Sequence, residues 1–470
     1  MQELTMELDG KSRTPLYEQI YEFIKSELQA GTIQYKEKLP SARALAAHLA
    51  VSRSTVDLAY EQLRSEGYIE AVPCKGYFAC QLEGVFRLDE NPGIRQREDC
   101  DPRKDYLYDF TPNGVDLERF PFNIWRKINR QVLSEEHTDL FLLGDPQGEA
   151  GLREAIARYL HQARGVNCTP EQIVIGAGND YLLMLLSRIL GTKRQVAMED
   201  PTYRQAYCVF ENLGYSMCAV EMDAMGMMVE ELEKTEADLA YVMPSHQYPM
   251  GIVMPIGRRY QLLQWAAQRE NRYIIEDDYD SEFRYKGKPI PALQGYDRKG
   301  KVIYLGTFSK SIAPAIRISY MVLPPALCRL YERTAMLFSS TVSRIDQRTL
   351  EVFIREGHFE RHLNRMRTAY KGKHDLLVEH LKELKAVCSI SGEQAGVHLL
   401  ARFEDGRTEK ELIDAAREHR IKVYGLSENI VRHHEREDAG SQPAGIILGY
   451  AALSEEQICR ATDILNAAWL

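Results

Sequence analysis

From residue 106 to the C-terminus, short apolar runs alternate with helix-length segments, and no other feature of this sequence constrains the fold as much. The runs are Ile173-Val174-Ile175, Val196-Ala197-Met198, Leu239 to Met243, Tyr273-Ile274-Ile275 and Val302 to Leu305. Strands that are apolar on both faces and separated by helical crossovers pack as a mostly parallel sheet covered by helices. Helical patterns at 361–384 and 409–420 place a smaller α+β lobe in roughly the last 100 residues.

The first 80 residues follow another pattern. Leu16, Ile20, Phe23, Ile24 and Leu28 recur at helical spacing after Pro15, and Gly31 marks a stop. A second, short helix is expected from Ser41, and a third from Ser52 or Arg53, with Val56, Ala59, Tyr60 and Leu63 as its apolar stripe. Tyr68 to Ala79, broken by Pro73 and Gly76, reads as a β-hairpin. Between the two regions, 12 of the 24 residues at 82–105 are charged, and Pro92, Gly93 and Pro102 interrupt them. The expected domains are therefore a three-helix-and-hairpin unit at 1–81, a linker at 82–105 and an α/β unit at 106–470.

Composition narrows the class. The 470 residues carry 59 Lys and Arg against 68 Asp and Glu, a net charge of −9, with 44% hydrophobic and 27% charged residues. That excludes disordered, collagenous and disulfide-scaffold chains. The acidic N-terminal segment is neither a signal peptide nor a transit peptide. Nine cysteines without any C-x-x-C spacing read as reduced thiols in a cytoplasmic protein, and no metal site is expected. An acidic total argues against a broad polyanion-binding surface, so any nucleic-acid contact has to be local.

Such a contact is legible near residue 50. The helices opening at Ser41 and Ser52 lie about three residues apart, which is helix-turn-helix spacing. Arg53, Ser54 and Thr55 sit on the first turn of the second of these helices, the turn that enters the major groove. Arg43 lies on the supporting helix, and Lys75 and Gly76 mark the tip of the hairpin. A protein-binding accessory domain is the plainer alternative: residues 1–80 hold 9 basic and 11 acidic side chains. The stretch LPSARALAAHLAVSRSTVDLAYEQLRSEGYIEAVPCKGYF nevertheless resembles the winged helix-turn-helix of GntR-family bacterial regulators along its length. The resemblance implies that Arg43, Arg53, Thr55 and Lys75 contact operator DNA.

A second constellation lies in the α/β unit. Lys310, in Thr307-Phe308-Ser309-Lys310-Ser311, follows an apolar strand and is placed to form a Schiff base with an aldehyde. Arg317 and Ser309 suit a phosphate. Glu276-Asp277-Asp278-Tyr279 ends another strand; a carboxylate there can hold a pyridinium proton, and Tyr279 can bond a phenolic oxygen. Ala177, Gly178 and Asn179 open a helix whose amides suit a phosphate, and Tyr203 offers a stacking ring. Each piece alone is weak, and together they point to pyridoxal 5'-phosphate. GDPQGEAGLREAIARYL, EDPTY, MPSHQYPMG, EDDYDSEFRY and TFSKSIAPAIRISYMVLP resemble fold-type I aminotransferases, and in particular the MocR branch of the GntR family.

That resemblance implies Lys310 as the aldimine lysine, Asp277 as the pyridine-nitrogen partner and Tyr279 as the ring-oxygen partner. Tyr203 stacks, while Ser309, Arg317 and the amides of Ala177, Gly178 and Asn179 hold phosphate. It also implies a homodimeric regulator in a bacterial cytoplasm, responding to pyridoxal phosphate or to an amine or amino-acid effector. The alternative is a working aminotransferase with an accessory N-terminal domain. Two departures bear on the choice. Tyr248, beside His246 and Gln247, stands where aminotransferases carry a ring-binding asparagine. Ile447 stands where they carry the arginine that clamps a substrate carboxylate, which leaves Arg432 and Arg204 as candidate replacements.

Overall fold

The computed structural model describes residues 14–73, 75–81, 106–285, 290–334, 336–384, 386–432 and 443–469, with a few isolated positions besides. The linker expected at 82–105 lies outside the described residues. The chain divides into two compact units, Met1–Cys100 and Asp101–Leu470.

In the first unit, α1 is Leu16–Ala30, α2 Ala42–His48 and α3 Arg53–Ser65. The expected caps are present. The Ser41 hydroxyl accepts from the Ala44 amide and that of Ser52 from the Thr55 amide, both at 3.2 Å. Each such cap contributes about 1 kcal/mol. Ile20, Ile24, Leu45, Val56, Tyr60 and Leu63 form the core. The Tyr60 hydroxyl donates to Pro40 O at 2.9 Å, tying α3 to the segment before α2. Strands β1 (Ile69–Val72) and β2 (Gly76–Ala79) pair antiparallel as the wing.

The second unit is built on an eight-stranded sheet. Its strands are β3 Ile173–Gly176, β4 Gln195–Asp200, β5 Ser216–Asp223, β6 Gly226–Met227, β7 Leu239–Val242, β8 Tyr273–Asp278, β9 Val302–Thr307 and β10 Ser319–Val322. The spatial order is β3-β10-β9-β8-β7-β4-β5-β6. Strands β9, β8, β7, β4 and β5 are mutually parallel. Strand β10 runs antiparallel to both its neighbours, β9 and β3. Their carboxyl ends therefore gather along one edge, where open α/β sheets bind ligands. The smaller lobe holds β11 (Val387–Ser391), β12 (His398–Phe403), β13 (Tyr424–Gly425) and β14 (Ala444–Gly449), in the order β11-β12-β14-β13. Among the described residues no helix is long and apolar enough to cross a membrane.

One buried ion pair locks the middle of the large sheet. Arg164, at the end of helix Ala150–Arg164, meets the Asp278 carboxylate at 2.8 Å, with both side chains almost wholly enclosed. The guanidinium also donates to Ser245 Oγ at 2.6 Å and to the Ile290 carbonyl, and the Tyr304 hydroxyl donates to Asp278 at 2.6 Å. Removing one partner of such a pair strands the other charge. Arg164→Met is expected to lower unfolding stability by about 3–5 kcal/mol in urea denaturation. The double change Arg164→Met/Asp278→Leu is expected to recover part of that loss.

Candidate cofactor pocket and DNA-reading helix

Where the strands end, residues from separate stretches of chain line a cavity of about 210 Å³. Strand β8 brings Asp277, and Tyr279 follows it. The loop after β9 brings Ser309 and Lys310; Arg317 precedes β10; Tyr203 and Tyr248 follow β4 and β7. Lys310 Nζ donates to Pro112 O at 2.7 Å and Asn113 Oδ1 at 2.9 Å. Enclosure by the protein pushes its amine down to about 8, although the nearby Asp280 carboxylate opposes that shift. Asp277 is buried and accepts from Asn179 Nδ2 at 3.2 Å and from the Tyr241 hydroxyl. Burial pushes its carboxyl up to about 7.

The phosphate end is shaped by glycine. Gly178 has φ +95°, and a Cβ on it would lie 2.1 Å from Arg317 Nη2, so the backbone and the guanidinium enclose one space. Arg317 Nη2 lies 3.6 Å from the Asp180 carboxylate. The Tyr203 ring stands edge-on to Tyr248, with centroids 5.8 Å apart, and its hydroxyl bonds Gln205 Oε1 at 2.8 Å. This donor set fits pyridoxal phosphate. Lys310 would take the aldehyde, Asp277 the ring nitrogen, Tyr279 the ring oxygen, and Ser309, Arg317 and Asn179 the phosphate. When bound, the ring supplies an electron sink.

In the small unit, Arg53 and Ser54 are exposed on the first turn of α3, and Arg43 is exposed on α2. The Thr55 hydroxyl is held by Ser52 Oγ at 2.7 Å. Arg53 pairs with Asp57 at 3.4 Å. Lys75 and Gly76, both exposed, form the wing tip.

Residues 16–78 match the family "Bacterial regulatory proteins, gntR family", and residues 112–463 match "Aminotransferase class I and II". The chain is 40% identical to YhdI, an HTH-type transcriptional regulator of Bacillus subtilis, over 99% of this chain and 98% of that relative. It is 32% identical to the probable rhizopine catabolism regulatory protein MocR of Rhizobium meliloti, over 98% and 95%. The chain belongs to the GntR family, in its MocR-type form. The pyridoxine biosynthesis regulator PdxR of Corynebacterium glutamicum is 30% identical over 81% of this chain and 82% of that relative. Among solved structures, the multiple substrate aminotransferase of Thermococcus profundus superposes with TM-score 0.68 at 24% identity, covering 80% of this chain and 95% of that one. An N-terminal DNA-binding head thus joins an aminotransferase-like domain in a transcriptional regulator.

Two expectations for this MocR-type regulator need correction. The Ala177 amide donates to Thr341 Oγ1 at 3.0 Å and the Gly178 amide to Gly176 O at 2.9 Å, so the chain itself engages two of the three amides expected at the phosphate. Neither candidate arginine lines the pocket. Arg432 is tied to the Ala219 carbonyl and, at 3.7 Å, to Glu221 on β5, while Arg204 reaches Glu428 O at 3.5 Å. Ile447 lies on β14, fully buried against Leu400 and Leu426.

Sequence reasoning also missed several pocket residues. Asn113 and Pro112 come from almost 200 positions before the lysine they hold. Asp180 and Gln205 lie in the first turns of helices Asn179–Leu190 and Arg204–Asn212. Tyr241 is one member of an apolar strand run, although its hydroxyl serves Asp277. No local pattern marks any of these.

Two outcomes follow from this geometry. Gly178→Ala forces a side chain into the space of Arg317 at a positive φ and is expected to weaken cofactor binding about tenfold or more, measured by titrating apo protein. Only the unprotonated amine attacks an aldehyde. Below the Lys310 value of about 8, the rate of cofactor attachment should therefore rise about tenfold per pH unit, and it should level off above that value; stopped-flow absorbance checks this.

Proposed function

We propose that this regulator senses pyridoxal phosphate, or an amine or amino-acid effector that reacts at its aldehyde, and that occupancy of the pocket changes its hold on operator DNA. The observation that carries the reading is the convergence of Lys310, Asp277, Tyr279 and Arg317 on one cavity at the carboxyl ends of parallel strands. Within it the chain's own residues have separate tasks. Enclosure lowers the Lys310 amine so that more of it is the neutral nucleophile, Asp277 holds a proton at a ring nitrogen, and Arg317 with Ser309 anchors the phosphate.

The protein acts as a cytoplasmic homodimer in this reading. Support comes from a groove lined by Leu142, Leu143, Leu337 and Phe338, with Leu143 and Leu337 more than nine-tenths exposed. An apolar surface of that kind is normally covered by a partner. Thr341, on the same groove, holds the Ala177 amide beside the phosphate end, which links the expected interface to the site. Against an ordinary aminotransferase stands Ile447: an aliphatic side chain in an apolar cluster has no way to clamp a carboxylate.

Lys310→Ala is expected to abolish the visible absorbance of the lysine-bound cofactor and to bind DNA flanking the gene as the cofactor-free wild type does. Arg53→Ala is expected to weaken that binding about tenfold and to leave the absorbance unchanged. Mobility shift and absorption spectra read both. A visible band that survives Lys310→Ala would overturn the cofactor assignment. Sustained multiple turnovers of keto acid from an amino acid would favour the enzyme instead.

A further inference from the structure

Behind Tyr279 lies a buried cluster that the cofactor roles do not use. His246, in the turn after β7, Asp280, just past β8, and His398, at the start of β12, are each about 1% exposed, and their polar atoms lie within 4.8 Å of one another. His246 Nδ1 sits 2.9 Å from Asp280 Oδ2 and 3.0 Å from the Tyr279 hydroxyl. His398 Nε2 faces Pro249 O at 3.3 Å, with its ring 5.0 Å from that of His246. The space is made to measure: at Gly396 (φ +87°) a Cβ would fall 1.9 Å from His246 Cε1 and 2.8 Å from Asp280 Oδ2.

One ring nitrogen facing two oxygens forces a choice. With its proton on Nδ1, His246 donates to Asp280 and cannot accept from Tyr279. The tyrosine hydrogen must then turn either to the Asp280 carboxylate, which also lies within its reach, or to the pocket, and Asp280 Oδ2 already accepts from His246. With Nδ1 bare, it would instead accept the Tyr279 hydrogen and withdraw it from the pocket. A carboxylate at 2.9 Å favours the first arrangement, because it accepts and never donates while ionised.

We propose that His246 and Asp280 are positioning residues: Asp280 fixes the Nδ1–H tautomer of His246, and that tautomer turns the Tyr279 hydroxyl into the pocket as a hydrogen-bond donor to the cofactor's ring oxygen. The proposal rests on the reading that the pocket holds pyridoxal phosphate. It makes the imidazole a selector of what Tyr279 does, without itself touching the cofactor.

The surroundings keep the selection clean. Tyr279 faces Asp280 next to it in the chain, then Tyr248 in the turn after β7, Asp277 on β8 and Tyr241 on β7. Asp280 faces Lys310 from the loop after β9, Tyr285, and Tyr450 just beyond β14. The tyrosines here are all held above their usual range, chiefly by burial, so none ionises near neutrality. His398 is held well below its ordinary value by burial and then by the neighbouring His246, so it stays neutral.

The test is a pH titration of the visible band of the full-length, cofactor-bound protein. A hydrogen donated to the ring oxygen stabilises negative charge there, and does so most when the imine nitrogen carries no proton. Losing the donor therefore raises the midpoint. Tyr279→Phe is expected to raise it by about one unit. His246→Gln should move it in the same direction, and the double variant should go no further than Tyr279→Phe alone. His246→Asn, whose amide nitrogen takes the place of Nδ1 and still donates to Asp280, should restore the wild-type midpoint. His246→Ala serves the same comparison if the glutamine variant does not fold. A His246→Gln midpoint equal to wild type at full cofactor stoichiometry, or an additive double variant, would sink the proposal. A wild-type protein with no Lys310-dependent visible band would instead sink the cofactor reading beneath it.

Discussion

Two adjacent carboxylates, Asp277 and Asp278, are buried at the end of one central strand, and much of the large unit is arranged around their charge. Successive strand residues point to opposite faces, so each needs its own answer. Asp278 receives Arg164 at 2.8 Å and the Tyr304 hydroxyl at 2.6 Å, and is neutralised within the fold. Asp277 receives only neutral donors, the Asn179 amide and the Tyr241 hydroxyl. Its carboxyl is accordingly pushed up to about 7 by burial. A cationic ring nitrogen is the partner that would complete this site. The neighbouring Glu276, likewise raised to about 7 by burial, is held by the Leu293 and Gln294 amides and belongs to the scaffold.

This arrangement shows why part of the site was legible in the sequence and part was not. Asp277 closes a strand, Tyr279 and Lys310 follow strand ends and Arg317 leads into a strand, and strands announce themselves by apolar runs. The helix-turn-helix was legible for a similar reason: Ser41 and Ser52 are caps, and caps are local chemistry. Partners brought in by topology leave no local trace. Asn113 precedes the first large-sheet strand by sixty residues and meets Lys310 only because the fold returns to it. Tyr241 looks apolar in a strand whose every position is buried, so alternation gave no sign that its hydroxyl had work. His246 was visible as a turn histidine, but its carboxylate partner lies 34 residues away.

The missing arginine is better understood from packing than from alignment. Strand β14 pairs along its length with β12, and Ile447 sits opposite Leu400 in that ladder. With Leu426, and with Met250 and Tyr424 packed alongside, it fills a small apolar cluster. A guanidinium there would have to be desolvated without an acid to receive it, at a cost of several kcal/mol. The lobe packs around an aliphatic side chain at this position, and Arg432 engages Glu221 on β5 and the Ala219 carbonyl.

The acidic total also acquires a different meaning. Of the net −9, most belongs to the large unit, and the reading helix limits its own charge as well. Arg53 is paired with Asp57 one turn along α3, at 3.4 Å and with both side chains well exposed. An exposed pair of this kind is worth well under about 1 kcal/mol, so a base edge or phosphate reaching Arg53 would displace it at little cost where the fit is good. Where the fit is poor, Asp57 would stay in place and offset the attraction that a free arginine would feel for any duplex. Weak general affinity and a small penalty at the right site are what a reader needs when its net charge gives no help from long range. The same economy makes pairing of two heads valuable, because two modest specific contacts held together exceed either alone by effective concentration.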